Sequence, residues 1–187
     1  MQKSILWKGL SFDTEEHCAI SYHDDKTIMI HGEIEGWSGN KALYFEYWLN
    51  LDAQWKVKSI EAVSRIADSE FQYNLKRDEN GNWSNSQNED LPEFKDCSYI
   101  DISLTPLTNT LPINGLKLTQ QENHDIDVVY IDVIEHKVYR DRQNYTRIEK
   151  NMYRFENDDG SFTAFIEVDN DGFVTDYPDL FEMIKVK

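Results

Sequence analysis

The sequence is short of several things, and each shortage removes a class of protein. Cysteine occurs only at Cys18 and Cys97 in 187 residues, too sparse for a disulfide-stapled secreted domain, so two buried free thiols are expected. Eight Gly and four Pro are too few for collagen-like or low-complexity sequence. Basic residues are outnumbered, 19 Lys and Arg against 35 Asp and Glu, for a formal charge of −16. Such a surface repels nucleic acid and anionic headgroups, so neither is expected as a partner. No run approaches the ~18 apolar residues of a membrane-spanning helix. The opening stretch places Lys3 and Lys8 around a three-residue apolar run, with Asp13, Glu15 and Glu16 following, and lacks the apolar core and cleavage site of a secretory signal. A cytoplasmic chain without a membrane span is the expectation.

The local marks of familiar chemistry are missing too. There is no G-x-S-x-G, H-E-x-x-H, C-x-x-C, P-loop or G-x-G-x-x-G, which lowers hydrolase, zinc, phosphate-binding and dinucleotide readings. The histidines, His17, His23, His31, His124 and His136, show no paired ligand spacing. Asp169-Asn170-Asp171-Gly172 begins like a calcium loop, yet Phe173 stands where the third ligand belongs, so a tight turn explains it better. No metal, no cofactor and no catalytic residue is expected.

What the chain does have is aromatics and alternation. Ten Tyr, nine Phe and five Trp mark a globular protein, not a disordered acidic one. Apolar residues recur with period two, the pattern of strands that bury one face. Cys18–Tyr22 and Thr27–Glu35 read as a hairpin, Gly36–Asn40 as a polar loop, and Lys41–Leu51, Trp55–Ile66 and Phe71–Leu75 as strands. Asn82–Phe94 is polar and turn-rich and reads as a loop, followed by a strand at Tyr99–Leu104. Pro106 and Pro112 disfavour helix before each of them, so Thr105–Pro112 predicts a connector or sheet edge. Leu116–Leu118, Ile126–Ile134 and Lys137–Tyr145 continue the strand pattern, and Met152–Asp176 reads as a three-strand meander with Asp-Gly at both bends. A short helix is predicted at Pro178–Ile184. Ten to thirteen strands with little helix make an all-β, largely antiparallel, strongly curved sheet, an incomplete barrel or sandwich, in a single domain over residues 1–187.

Candidate ligand residues follow from composition and placement. The strand Lys41–Leu51 carries aromatics on both faces; Tyr44 and Trp48 then need a cover or line a cavity. Trp55 is a further aromatic that could face it. Arg140, Arg142 and Gln143 lie beside Tyr139 and Tyr145 in a chain short of bases. They either pair with surface acids or form a small cationic spot for an anionic or polyhydroxylated group.

Several segments in order resemble the putative glycolipid-binding family of bacterial proteins. They are Trp55-Lys56-Val57, Gly81-Asn82-Trp83, Cys97–Ile102, Thr105-Pro106-Leu107-Thr108-Asn109-Thr110-Leu111-Pro112-Ile113, Gln143–Arg147, Tyr153-Arg154-Phe155 and Val168–Pro178. The resemblance spans nearly the whole chain and adds Asn109 and Tyr177 to the candidates. Members often carry arginine after Leu-Pro-Ile, where this chain has Asn114 and Gly115, so an anion-binding role does not carry over to that loop. It implies a curved antiparallel half-barrel similar to bacterial lipoprotein carriers, with an apolar concavity and no established catalytic residues. The expected function is non-catalytic binding of a lipid or glycolipid-like amphiphile in an aromatic-lined groove. The alternative is a self-associating or protein-interaction module, with a homodimer as its simplest form. An enzyme using Asp101 or Asp176 beside Tyr145 or Tyr177 is the third reading.

Overall fold

A computed structural model describes residues Met1–Lys187. Fourteen strands form one sheet: β1 (Gln2–Gly9), β2 (Asp13–Tyr22), β3 (Ile28–Ser38), β4 (Lys41–Leu51), β5 (Val57–Ile66), β6 (Ser69–Arg77), β7 (Trp83–Asn85), β8 (Tyr99–Ile102), β9 (Asn123–Asp132), β10 (Lys137–Glu149), β11 (Met152–Asn157), β12 (Thr163–Val168), β13 (Val174–Tyr177) and β14 (Phe181–Val186). One helix, α1 (Leu107–Leu116), and a 3-10 turn at Pro92–Phe94 complete the structure. The sheet is therefore all-β, curved and open, as the alternation predicts.

The strand order is β7-β6-β5-β4-β3-β2-β1-β14-β13-β12-β11-β10-β9-β8. Two meanders are thus joined at the middle by β1 and β14, whose register sets Ile5 opposite Val186 and Gly9 opposite Phe181. Every pairing is antiparallel except β8 with β9, which α1 connects in a crossover. The thirteen steps across the sheet, at ~4.8 Å each, would part β7 and β8 by about 62 Å if the sheet were flat. The chain from Asn85 to Tyr99 spans at most about 50 Å at ~3.6 Å per residue, so the sheet has to curl. The two halves meet where the Val57 N–H donates to the Ser98 carbonyl at 2.9 Å and the Trp83 indole donates to the Cys97 carbonyl at 2.9 Å.

The sequence reading is corrected at five places. Gln2–Gly9 is a strand, and so is Phe181–Val186, where a helix was predicted. Pro178 and Asp179 form the turn into β14, Asp179 standing at φ 65°, and pairing with β1 overrides the weak helical signal. Of the polar loop around Trp37, residues 36–38 belong to β3, with Trp37 opposite Ala42, and only Gly39 and Asn40 remain as the turn. Residues 82–94 contain β7 and the 3-10 turn.

The fifth correction is α1, which forms across Thr105–Pro112 against the local rule and takes in Leu116 beyond it. Pro106 occupies the N-cap, where no intrahelical N–H is required. The Thr105 hydroxyl accepts the Leu107 N–H at 3.0 Å, and Thr108 Oγ1 donates to Asp101 at 2.9 Å while accepting the Ile102 N–H at 3.2 Å. Pro112 sits inside the helix and costs a hydrogen bond. Residues Leu107 to Ile113 are all buried, and enclosure on every side by the curled sheet outweighs that cost. Gly115 follows because any Cβ there would collide with the Tyr99 hydroxyl and the Gln54 carbonyl, and Asn114 donates to the Asp171 carbonyl at 2.9 Å. Both residues that depart from the family pattern are therefore spent on packing.

A cluster of 44 buried apolar residues fills the curl. Cys18 and Cys97 are free and buried within it, as the cysteine count predicts. Asp169 caps its own turn by accepting the Asp171 and Phe173 N–H groups, both at 2.9 Å, with Gly172 at φ 80°; this is the tight turn expected there. Under the helix start lies a buried carboxyl, Glu16, which accepts the Tyr47 phenol and leaves Oε2 without a hydrogen bond. Tyr47 fits because Gly32, opposite it on β3, has no side chain.

Candidate functional site

Alternation decides which side chains of the C-terminal half reach the inside of the curl. On β10, Tyr139, Asp141 and Gln143 face in, whereas Arg140 and Arg142 face out. The hairpin register sets Tyr130 of β9 opposite Tyr139, and β8 brings Asp101 beside Tyr130. Together with the start of α1 and the ends of β11 and β13, these residues bound a cleft of about 580 Å³. That size lies within the ~300–1,000 Å³ of small-molecule sites.

The cleft has two kinds of wall. One is an aromatic arc in which Phe162 meets Phe155 at 6.0 Å between ring centroids, Phe155 meets Tyr177 at 6.4 Å, and Tyr177 meets Phe181 at 6.1 Å. Phe12 from the β1–β2 turn and Leu180 extend it. The other wall is polar and carries Asp101, Asp132, Glu135, Asp141, Gln143, Ser103, Thr105 and Asn109.

Asp101 is the electrostatic centre of the polar wall. Its Oδ1 accepts the Thr108 hydroxyl and its Oδ2 accepts the Gln143 amide at 2.7 Å. Burial pushes its carboxyl up from the ordinary value, against those two donors, and the neighbouring Asp141 pushes it the same way. Burial likewise raises the Tyr130 and Tyr177 phenols, and the charge on Asp101 adds to both. These phenols stay protonated at neutral pH. The phenols of Tyr130, Tyr139 and Tyr177 make no hydrogen bond within the chain, whereas Tyr145 behind them is bonded, which leaves those three available to a ligand.

The residues singled out from sequence divide between this cleft and other places. Asn109, Gln143 and Tyr177 line it. Tyr145 stands behind it, buried, donating to Asn109 Oδ1 at 2.8 Å and resting on Phe155. Arg140 is bound to Asp127 at 2.7 Å, and Arg142 reaches Asp125 at 3.3 Å, both on the outer face. Of the two readings open for these arginines, pairing with surface acids is the one the structure bears out.

Tyr44 lies under Arg65 in an acidic depression with Glu15, Glu33 and Glu35. Trp48 is 38% exposed and stacks on His31 at 4.8 Å. Neither joins the cleft, because their neighbours Phe45, Tyr47 and Leu49 take the inward positions of β4. Trp55, at φ 63°, packs edge-on against Phe173 and borders a separate depression of about 490 Å³ with Lys3, Arg147 and Asp169. Asp176 pairs with Glu167 and Glu182 in the sheet and is absent from the cleft lining.

Reading the sequence alone passes over Phe12, Phe162, Leu180, Phe181, Tyr130 and Asp141. The Tyr130–Tyr139 pair was within reach, since a hairpin turning at Glu135-His136 sets them opposite each other. The aromatic arc was not, because its members come from four separate turns and strands.

No helix is long and apolar enough to cross a membrane. No curated protein matches the chain. A crystal structure of a DUF1089-family protein from Pseudomonas aeruginosa, at 1.80 Å resolution, superimposes with a TM-score of 0.80 at 30% identity, covering 89% of this chain and 91% of that one. The model of the family described as "Putative glycolipid-binding" matches residues 4–183, almost the full length and including every cleft residue. The chain belongs to the Putative glycolipid-binding family.

Proposed function

We propose that this chain is a non-catalytic binding protein for a lipid-like amphiphile, a glycolipid being the form the family description suggests. The observation that supports it is the two-walled cleft, with the aromatic arc from Phe162 to Phe181 facing the polar wall around Asp101 and Gln143. An amphiphile satisfies both walls at once, its tail on the rings and its head on the carboxylates and amides. Each CH₂ removed from water contributes ~0.8 kcal/mol, so a ten-carbon tail supplies about 8 kcal/mol before ordering costs.

Reading the cleft as non-catalytic follows from the engagement of Asp101. Both its oxygens already accept hydrogen bonds from fixed neutral groups, which suits a structural acceptor better than a proton carrier.

Native mass spectrometry of the purified protein, beside lipid identification in its denatured extract, tests the proposal. A stoichiometric lipid or glycolipid adduct is expected. A clean unliganded mass that takes up neither an alkyl glycoside nor a fatty acid on addition would overturn it. A ligand-free dimer under those conditions would favour the self-association alternative.

A further inference from the structure

We propose that the polar end of the cleft selects an uncharged, hydroxyl-rich head group and rejects phosphate, sulfate and carboxylate, with Asp101 and Asp141 as the specificity-determining residues. The inference rests on the cleft being the amphiphile site. Four carboxylates line the cleft, and no lysine, arginine or histidine does. Only Glu135 has a cation beside it, the exposed Lys137 at 3.5 Å. Asp101 and Asp141 share one neutral donor, the Gln143 amide nitrogen, at 2.7 and 3.3 Å. That shared amide holds the two carboxylates side by side without cancelling their charge.

An anionic head group entering here meets like charge with no cation in the cleft lining to neutralise it. A hydroxyl arrives as a donor, which the carboxylates and the free Gln143 carbonyl accept. Tyr130 and Tyr139, whose rings lie 5.1 Å apart at 39°, offer aromatic faces to the C–H side of a sugar ring. The alternation of β10 completes the exclusion. Arg140 and Arg142, which could have welcomed an anion, point to the opposite face and are already paired with Asp127 and Asp125, and Arg147, farther along the strand, borders the separate depression beside Trp55.

Titration of the whole chain with decyl glucoside, decyl phosphate and decyltrimethylammonium, equal in tail and below their micelle concentrations, reads the selection directly. The glucoside is expected to bind at least about tenfold more tightly than the phosphate. Asp141→Asn, which keeps shape and removes a charge, is expected to narrow that gap from both sides, raising phosphate affinity and lowering glucoside affinity as a charged acceptor of hydroxyls is lost. Equal affinity for glucoside and phosphate, or tighter phosphate, would overturn the inference and leave tail binding intact. Tighter binding of the ammonium than of the glucoside would also overturn it, since charge and not hydroxyls would then be recognised. Failure of all three ligands to bind would remove the amphiphile reading itself. The comparison in the unaltered chain stands even if the variant folds poorly.

Discussion

At the scale of single residues, the core keeps one acid whose protonation matters. Burial pushes Glu16 from its ordinary 4.5 up to about 7, with partial relief from the Thr105 and Tyr47 hydroxyls. Between those two values the native state holds a proton that the unfolded chain has released. The associated stability is therefore fully present below pH 4.5 and is lost as pH rises through about 7. The loss amounts to roughly 3 kcal/mol. Glu16→Gln keeps the shape and the carbonyl that accepts the Tyr47 phenol. Urea denaturation across pH 5 to 7.5 is expected to show a falling stability for the parent and a flatter line for the variant. Parallel lines would mean that Glu16 ionises at no cost. None of this is legible in the sequence, where Glu16 is one of three acids in an exposed-looking run beside Glu15 and Asp13. Period two alone separates it, since Thr14, Glu16 and Cys18 share the inward face of β2.

Among the elements, the strands were legible and the exceptions have specific causes. β2 to β5, β11 and β12 alternate over most of their length, because each buries one face. β1 hides its alternation behind consecutive Ile5, Leu6 and Trp7. β14 has little of its own, with only Phe181 buried, and is recruited by β1. α1 is the opposite case, a helix whose own sequence argues against it and whose stability comes from enclosure and its ties to β8. Thr108 carries two of those ties, so Thr108→Val is expected to cost about 1–3 kcal/mol in denaturant unfolding, with Thr108→Ser recovering most of it. An unchanged valine variant would show that packing alone holds the helix. Because Thr108 also orients Asp101, the valine variant should lose part of any ligand affinity as well. The site was less legible than the fold. Asn109, Gln143 and Tyr177 were found through family resemblance or local aromatics, while Phe12, Phe162 and Phe181 converge only when the sheet curls.

For the whole molecule, the governing feature is that the first and last strands lie side by side in the middle of the sheet. The Ser4 N–H donates to the Lys187 carbonyl at 2.9 Å, so the chain ends are neighbours. A circular permutant that joins Lys187 to Met1 through a short glycine-serine linker and opens the exposed loop at Gln87 keeps every strand pairing. It is expected to fold and melt cooperatively with little loss. Removal of residues 181–187, by contrast, unpairs β1 and should abolish the cooperative transition. A truncated chain that melts like the parent would show that the two meanders are independent. The same central seam gives the protein a particular birth order. A ribosome releases seven strands with a bare, hydrogen-bond-hungry edge at β1, and that edge finds its partner only when the final strand emerges. During that interval the nascent half-sheet is a template for a neighbouring nascent chain. Yield in the cell should then depend on translation speed and chaperone supply more than the finished molecule's stability would suggest.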